Sequence, residues 1–209
     1  MIAVNGASGD VGSKVANLLL KEKQAVRVFG RSAERLEPFG RRGAEVVVGD
    51  AINFGDLQML FKGAESALVV LSGDVSDPHY VSNRSAMSRA ITRALRQQQV
   101  SHVVLASSIG ADRDRGVGMV AGLHELEGLL FGLEDANVLS LRAACPHGEP
   151  AGEPPDDQGA EDQRERLKGD HRFPMIATVD IAERPPGTSS TATSRATPSR
   201  RSSAPRIGA

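Results

Sequence analysis

Three glycines, Gly6, Gly9 and Gly12, sit three apart in "MIAVNGASGDVGSKVANLLL", between a short apolar run and a helix-like run. Residues of this type in this place suit a phosphate. A missing Cβ lets the chain turn tightly and brings backbone N–H groups close to a pyrophosphate. The N-terminus of the following helix adds unpaired donors and a partial positive charge. Ser8 offers a hydroxyl donor, and Gly12 permits close helix–strand packing. The spacing is G-x-x-G-x-x-G rather than the more familiar G-x-G-x-x-G, and an ordinary strand–helix turn is the alternative reading. No Gly-Lys-Ser/Thr follows, which argues against a P-loop.

The second apolar run ends in "FGRS". A site for NAD usually has an acid here for the ribose 2′-hydroxyl. Gly30 occupies that place and Arg31 follows, and an arginine fork can pair with a 2′-phosphate. The pattern therefore favours NADP over NAD, with a solvated loop arginine as the alternative. Asp50 ends the third apolar run on the same edge. It is read either as an acceptor for an adenine amino group or as an acid at a helix N-terminus.

These residues need a frame. Met1–Val4, Ala25–Phe29, "AEVVVGD", "SALVVLS", "HVVLASS" and "NVLSLRA" read as strands. Their continuous β-branched runs predict burial on both faces. Helical spacing fills the intervals: Val11–Lys21, Ala33–Phe39, Phe54–Phe61, Asp77 to about Gln98, and Val120–Leu133. Strand–helix alternation with short connections predicts an α/β fold, a Rossmann-like doubly wound parallel sheet.

Composition divides the chain. Nine of the eleven prolines fall in residues 146–209, and Pro146 to Arg166 has no Val, Ile, Leu, Met, Phe or Tyr. Such a stretch cannot bury enough apolar surface to offset chain entropy. The expected organisation is a nucleotide-binding domain over 1–145, a low-complexity polar segment over 146–166, a remnant of folded sequence over 167–182, and a disordered tail over 183–209. A formal net charge of −1 provides no field that recruits nucleic acid or an anionic membrane. One cysteine, Cys145, excludes an internal disulfide and fits a reducing compartment. No apolar run approaches the roughly 20 residues of a membrane span. The expectation is a cytoplasmic protein with no metal site, since Cys145 and His147 are too few ligands.

"VNGASGDVG", "FGRS", "VVVGD", "HVVLASSIGAD" and "GLHELEGLL" resemble the NmrA-like family, a branch of the atypical short-chain dehydrogenase/reductases. The resemblance covers about residues 1–144. It implies a Rossmann fold with NADP along the carboxyl ends of the strands and a small substrate-binding portion from the C-terminal third. It implies cofactor contacts from Gly6, Ser8, Gly9, Asp10, Val11 and Gly12, from Arg31 at the 2′-phosphate and from Asp50 at the adenine. Leu71 and Ser72 match where the family passes the nicotinamide ribose, and Ser107 matches the serine beside the nicotinamide. Members include NADPH-dependent reductases of quinones or carbonyls, with a small-molecule substrate. Others are redox sensors that bind NADP without turnover and act through a protein partner.

Catalytic residues transfer less well. Reductases of the wider class use a lysine, often in Tyr-x-x-x-Lys, after the fifth strand. No lysine occurs between Lys62 and Lys168. Tyr80 has Arg84 at the right spacing but follows the fourth strand, so it is read as packing. His124 is the candidate proton donor, with a polar residue on a half-exposed helix as the alternative. Glu127, three residues on, is read as a surface cap or ion-pair partner.

After "VLSLRAAC" the family pattern is lost. It returns in "RFPMIATVDIA" and is lost again at "ERPPGTSSTATSRATPSRRSSAP". Loss, recovery and second loss suggest reading-frame changes in the coding DNA, which would leave an inactive product. A genuine disordered tail is the alternative. Its five arginines against one acid beyond residue 182 would attract acidic partners without specificity. Translation of the other two frames downstream of the Ala144 codon is expected to recover apolar, family-like sequence. Polar low-complexity sequence in both frames would contradict the frame change.

Overall fold

Six β-branched runs become six parallel strands, but the burial expected on both faces fails at the sheet edge, where Glu45, Val46 and Val48 of the third run are exposed because among the described residues no strand pairs beyond it. In the computed structural model these are β1 (Ile2–Asn5), β2 (Val26–Gly30), β3 (Glu45–Val48), β4 (Ser66–Val70), β5 (His102–Ser108) and β6 (Asn137–Ala143). Between them run α1 (Asp10–Lys21), α2 (Ala33–Gly40), α3 (Phe54–Phe61), α4 (Tyr80–Gln97) and α5 (Ala121–Phe131). The structure describes residues 1–116 and 118–143, with the backbone of three further strands, β7 (Cys145–His147), β8 (Met175–Ala177) and β9 (Ala192–Arg195). The rest of the segments 146–166, 167–182 and 183–209 lies outside the described residues.

The sheet order is β3-β2-β1-β4-β5-β6-β9. The first six strands are parallel, and β9 lies antiparallel to β6. β7 and β8 form a separate parallel pair. Strand order reverses between β1 and β4, so a crevice opens at their carboxyl ends, where doubly wound sheets bind ligands. The expected Rossmann-like doubly wound sheet is the one observed.

Alternate residues of each strand feed two cores. Ala3, Phe29, Val69 and Leu105 pack with Leu57, Phe61, Ile91, Leu95, Leu126 and Leu130 of α3, α4 and α5. Val4 and Val28 pack on the other face with Ala16, Leu36 and Phe39 of α1 and α2. Local chemistry sets the helix starts. Ser32 Oγ accepts from the Arg35 amide and caps α2, while Asn53 Oδ1 accepts from the amides of Gly55 and Asp56 and caps α3. α4 starts at Tyr80 rather than at Asp77. Asp74 Oδ1 takes the Ser76 amide at 2.9 Å and Asp77 Oδ1 takes the His79 amide at 2.8 Å, so side-chain turns hold the chain until His79. Among the described residues no helix is long and apolar enough to cross a membrane.

α1 is set by contact with the loop before it. A Cβ on Gly12 would lie 2.3 Å from the Gly6 carbonyl oxygen and 2.7 Å from its carbon. Both are backbone atoms that cannot swing aside. Gly12→Ala is expected to cost about 1–3 kcal/mol in chemical denaturation through forced displacement of α1. Wild-type stability in that variant would contradict this packing.

Candidate functional site

The carboxyl ends of β1, β2 and β4 meet at the glycine loop. Gly6 has φ +75°, a conformation that favours glycine, and its carbonyl accepts from the Gly9 amide at 3.0 Å. The loop is tied to the sheet by the Ala7 amide, which donates to the Phe29 carbonyl at 3.0 Å. Gly9 is the N-cap of α1 and no side chain caps the helix. The first-turn amides of Asp10, Val11 and Gly12 therefore point out with their partial positive charge available to an anion. Asp10 is drawn along the helix by Lys14, at 3.2 Å. Both glycines are required by packing: a side chain at Gly6 would press on Val70, and one at Gly12 on the loop itself.

The next strand end carries the second group. A Cβ on Gly30 would lie 2.8 Å from Ser8 Oγ, so the bare glycine is what leaves room for the Ser8 hydroxyl. Arg31 is exposed immediately beyond it. Its charge reaches the β4–α4 connection. Hydrogen bonds from the Ser76 hydroxyl and amide chiefly hold the Asp74 carboxyl below its ordinary range, and Arg31 adds a smaller pull. Asp50 is also exposed on this edge, with Oδ1 accepting from the Ile52 amide at 3.0 Å. Ser8, Arg31 and Asp50 thus all belong to the loops at the carboxyl ends of neighbouring strands.

The other side of the crevice is built by β4, β5 and the helices after them. Leu71 is buried and Ser72 exposed at the end of β4. Ser107 is buried at the end of β5, and its hydroxyl donates to Glu127 Oε1 at 2.6 Å. Ser140 donates to the same oxygen at 2.6 Å, and Arg142 Nη2 donates to Oε2 at 2.6 Å. Burial alone would raise the Glu127 carboxyl. The hydrogen bonds from Arg142, Ser107 and Ser140, with the guanidinium charge, outweigh it and hold the group below the usual glutamate range. Glu127 is thus not at the surface, as its helix position suggested. It is 3% exposed and joins α5 to the ends of β5 and β6. His124 Nδ1 lies 2.8 Å from the Ala111 carbonyl, which can only accept, so Nδ1 donates and the ring ties α5 to the β5–α5 connection.

Tyr80 and Arg84 pack together on this side. Arg84 Nη1 donates to the Tyr80 hydroxyl at 2.9 Å and to the Leu71 carbonyl at 3.2 Å. Arg84 is 7% exposed, and burial draws its guanidinium below the ordinary arginine range while Tyr80 opposes the shift. Sequence reasoning missed Asn5, Ser140 and Arg142. Asn5 is buried and donates from Nδ2 to the Val70 carbonyl at 3.2 Å, locking β1 to β4 at the crevice. Its signal was a polar residue closing an apolar strand just before a glycine loop. Ser140 and Arg142 alternate with Val138 on one strand face, which marks them as inward-facing. Among the described residues there is no cluster that could hold a metal ion.

A family described as NAD(P)H-binding matches residues 6–127. An NmrA-like family domain-containing oxidoreductase of Aspergillus japonicus is 33% identical over 113 residues, 51% of this chain and 34% of its own length. The triphenylmethane reductase of Citrobacter sp., complexed with NADP(H), superposes with a TM-score of 0.60 at 21% identity, over 69% of this chain and 49% of that one. An NADPH-dependent quinone oxidoreductase of Escherichia coli, complexed with NADPH, gives 0.60 at 23% identity over the same shares. At such identities the likeness to these structures establishes the fold. The chain spans about a third of the curated relative and about half of each reductase.

The buried carboxylate makes stability depend on pH. A carboxyl lowered by folding contributes stability that is present above its unfolded value, near 4.5, and lost as pH falls through the folded value. Glu127→Gln is expected to cost about 2–4 kcal/mol at neutral pH, because Arg142 and two serines lose a charged acceptor. The gap between variant and wild type should narrow at about pH 3, because below the unfolded value protonation of the unfolded chain already erodes what the folded carboxylate contributes. Urea denaturation at the two pH values measures this, and an equal gap at both would contradict it.

Proposed function

Because the chain belongs to a family described as NAD(P)H-binding, we propose that it is of the NmrA-like kind, binds NADPH across the β1/β4 crevice and serves as a reductase of quinone or related carbonyl substrates. The observation that carries this reading is the bare glycine cradle at Gly6 and Gly12, followed at the next strand end by Gly30 and Arg31 where an acid would select NADH. The first-turn amides of α1, with Ser8, hold the diphosphate. Arg31 pairs with the 2′-phosphate through its fork, and Asp50 accepts from the adenine amino group. The backbone of Leu71 and Ser72 passes the nicotinamide ribose.

When bound, the reduced dinucleotide supplies a hydride. The protein's part is to orient the nicotinamide, exclude water and provide a proton. Glu127 takes the only proton of the Ser107 hydroxyl, so the Ser107 oxygen keeps only acceptor capacity toward the crevice. With Nδ1 committed to Ala111, His124 has Nε2 alone to exchange a proton. The triphenylmethane reductase and the quinone oxidoreductase that share this fold, complexed with NADP(H) and NADPH, support NADPH as the cofactor and a small-molecule electron acceptor as the substrate class.

A second reading is supported by the missing lysine between Lys62 and Lys168. In it the protein binds NADPH without turnover and reports cofactor state to a protein partner. A quinone panel separates the two: NADPH oxidation supports the reductase, and tight binding without oxidation supports the sensor.

Arg31→Ala tests the cofactor preference. Calorimetric titration is expected to show NADPH affinity falling about 10- to 100-fold, the loss of one bidentate charged contact, with NADH affinity little changed. Equal losses for both dinucleotides would contradict a 2′-phosphate role.

A further inference from the structure

Arginine is rarely buried without a carboxylate. Arg84 is 7% exposed, and among the described residues no carboxylate pairs with it. Its Nε is buried with no hydrogen-bond partner. Gly122 of α5 leaves the room it occupies, since a Cβ there would lie 2.6 Å from Nε. The charge is therefore desolvated, held between α4, α5 and the end of β4, and directed through Nη1 at one phenol, that of Tyr80. A buried cation of this kind is costly in the resting protein and becomes favourable when a negative charge forms beside it.

The Tyr80 oxygen accepts from Arg84, and no described residue takes the phenolic hydrogen. The ring is half-buried and lies against Gly73, where a Cβ would come within 2.9 Å of Cε2, so it stands at the carboxyl end of β4. Exposed Val75, Val81, Ile109 and Met119 occupy the connections that leave β4 and β5 and the start of α4. They add exposed apolar surface at this end of the sheet.

From this geometry we infer that Tyr80 is the proton donor of the reduction and that Arg84 stabilises the phenolate left behind. The inference rests on the reductase reading. The substrate takes one hydride, with its electron pair, from the reduced dinucleotide. The carbonyl π pair moves onto oxygen, which takes the Tyr80 proton, so a quinone gains two electrons and two protons in all. Water then returns a proton to the phenolate. Arg84 acts through Tyr80 and is a positioning residue.

Tyr80 is the chain's only tyrosine, so ring nitration by tetranitromethane, read by nitrotyrosine absorbance, reports this site alone. NADP⁺ together with a benzohydroquinone is expected to slow nitration at least about fivefold, by occupying the crevice beside the ring. Tyr80→Phe keeps the ring and is expected to lower kcat with a benzoquinone about 100-fold or more, with the quinone KM and NADP⁺ affinity unchanged. Arg84→Lys should recover much of the kcat that Arg84→Met loses. Unprotected nitration in protein that binds NADP⁺ would overturn the proton-donor role and leave the cofactor reading standing. So would wild-type kcat in Tyr80→Phe, or a loss that appears only in His124→Gln. Wild-type protein that binds NADP⁺ but oxidises NADPH with no quinone would overturn the reductase reading and this inference with it, whatever the nitration result. Failure to bind NADP⁺ would overturn both.

Discussion

The approach of α1 to the loop that precedes it governs the molecule. Gly12 lets the first turn of the helix lie directly on the Gly6 carbonyl, and Gly6 in turn reaches its conformation because it has no side chain to press on Val70. That contact aims the open end of α1 at the carboxyl end of β1. Asn5 then ties β1 to β4 across the point where strand order reverses. Cradle and crevice are thus two consequences of one packing arrangement. The absence of a side-chain cap on α1, a loss for an isolated helix, leaves its amides available to an anion.

One buried arginine and one half-buried show how the far side of the crevice divides its work. Arg142 meets Glu127 with short hydrogen bonds, and two serine hydroxyls complete the carboxylate's shell. This charge pair is satisfied, and it fastens β5, β6 and α5 into one unit. Arg84 is also desolvated but finds only a carbonyl and a phenol. A polar cluster with every oxygen partnered fixes structure. A guanidinium left partly unpartnered stores electrostatic potential that a reaction can use. The difference lies in the partners, since both residues lie against α5.

The six parallel strands and five helices were legible because their apolar runs are continuous and their connections short. Element ends shifted by a few residues at most, and the largest shift, at α4, came from Asp74 and Asp77 forming side-chain turns that periodicity does not register. The tight turn that opens α1 was legible from glycine spacing, and the exposed place of Arg31 from its position after Gly30. Glu127 does pair, as expected, but not at the surface, where its sequence neighbours pointed. Its burial depends on Ser140 and Arg142, which come from a different strand, and pairing between distant segments leaves no local pattern. The link between Tyr80 and Arg84 was visible as spacing. Its meaning depended on Arg84 being buried and lacking a carboxylate, which only the packing of α4 against α5 reveals.

The most direct test of the whole account is backbone amide NMR of the labelled chain titrated with NADPH. The largest shifts are expected at the amides of residues 6–12, with a second group at Gly30 and Arg31. Saturating NADPH that leaves the 6–12 amides unmoved, or that moves amides only at the opposite end of the sheet, would contradict it.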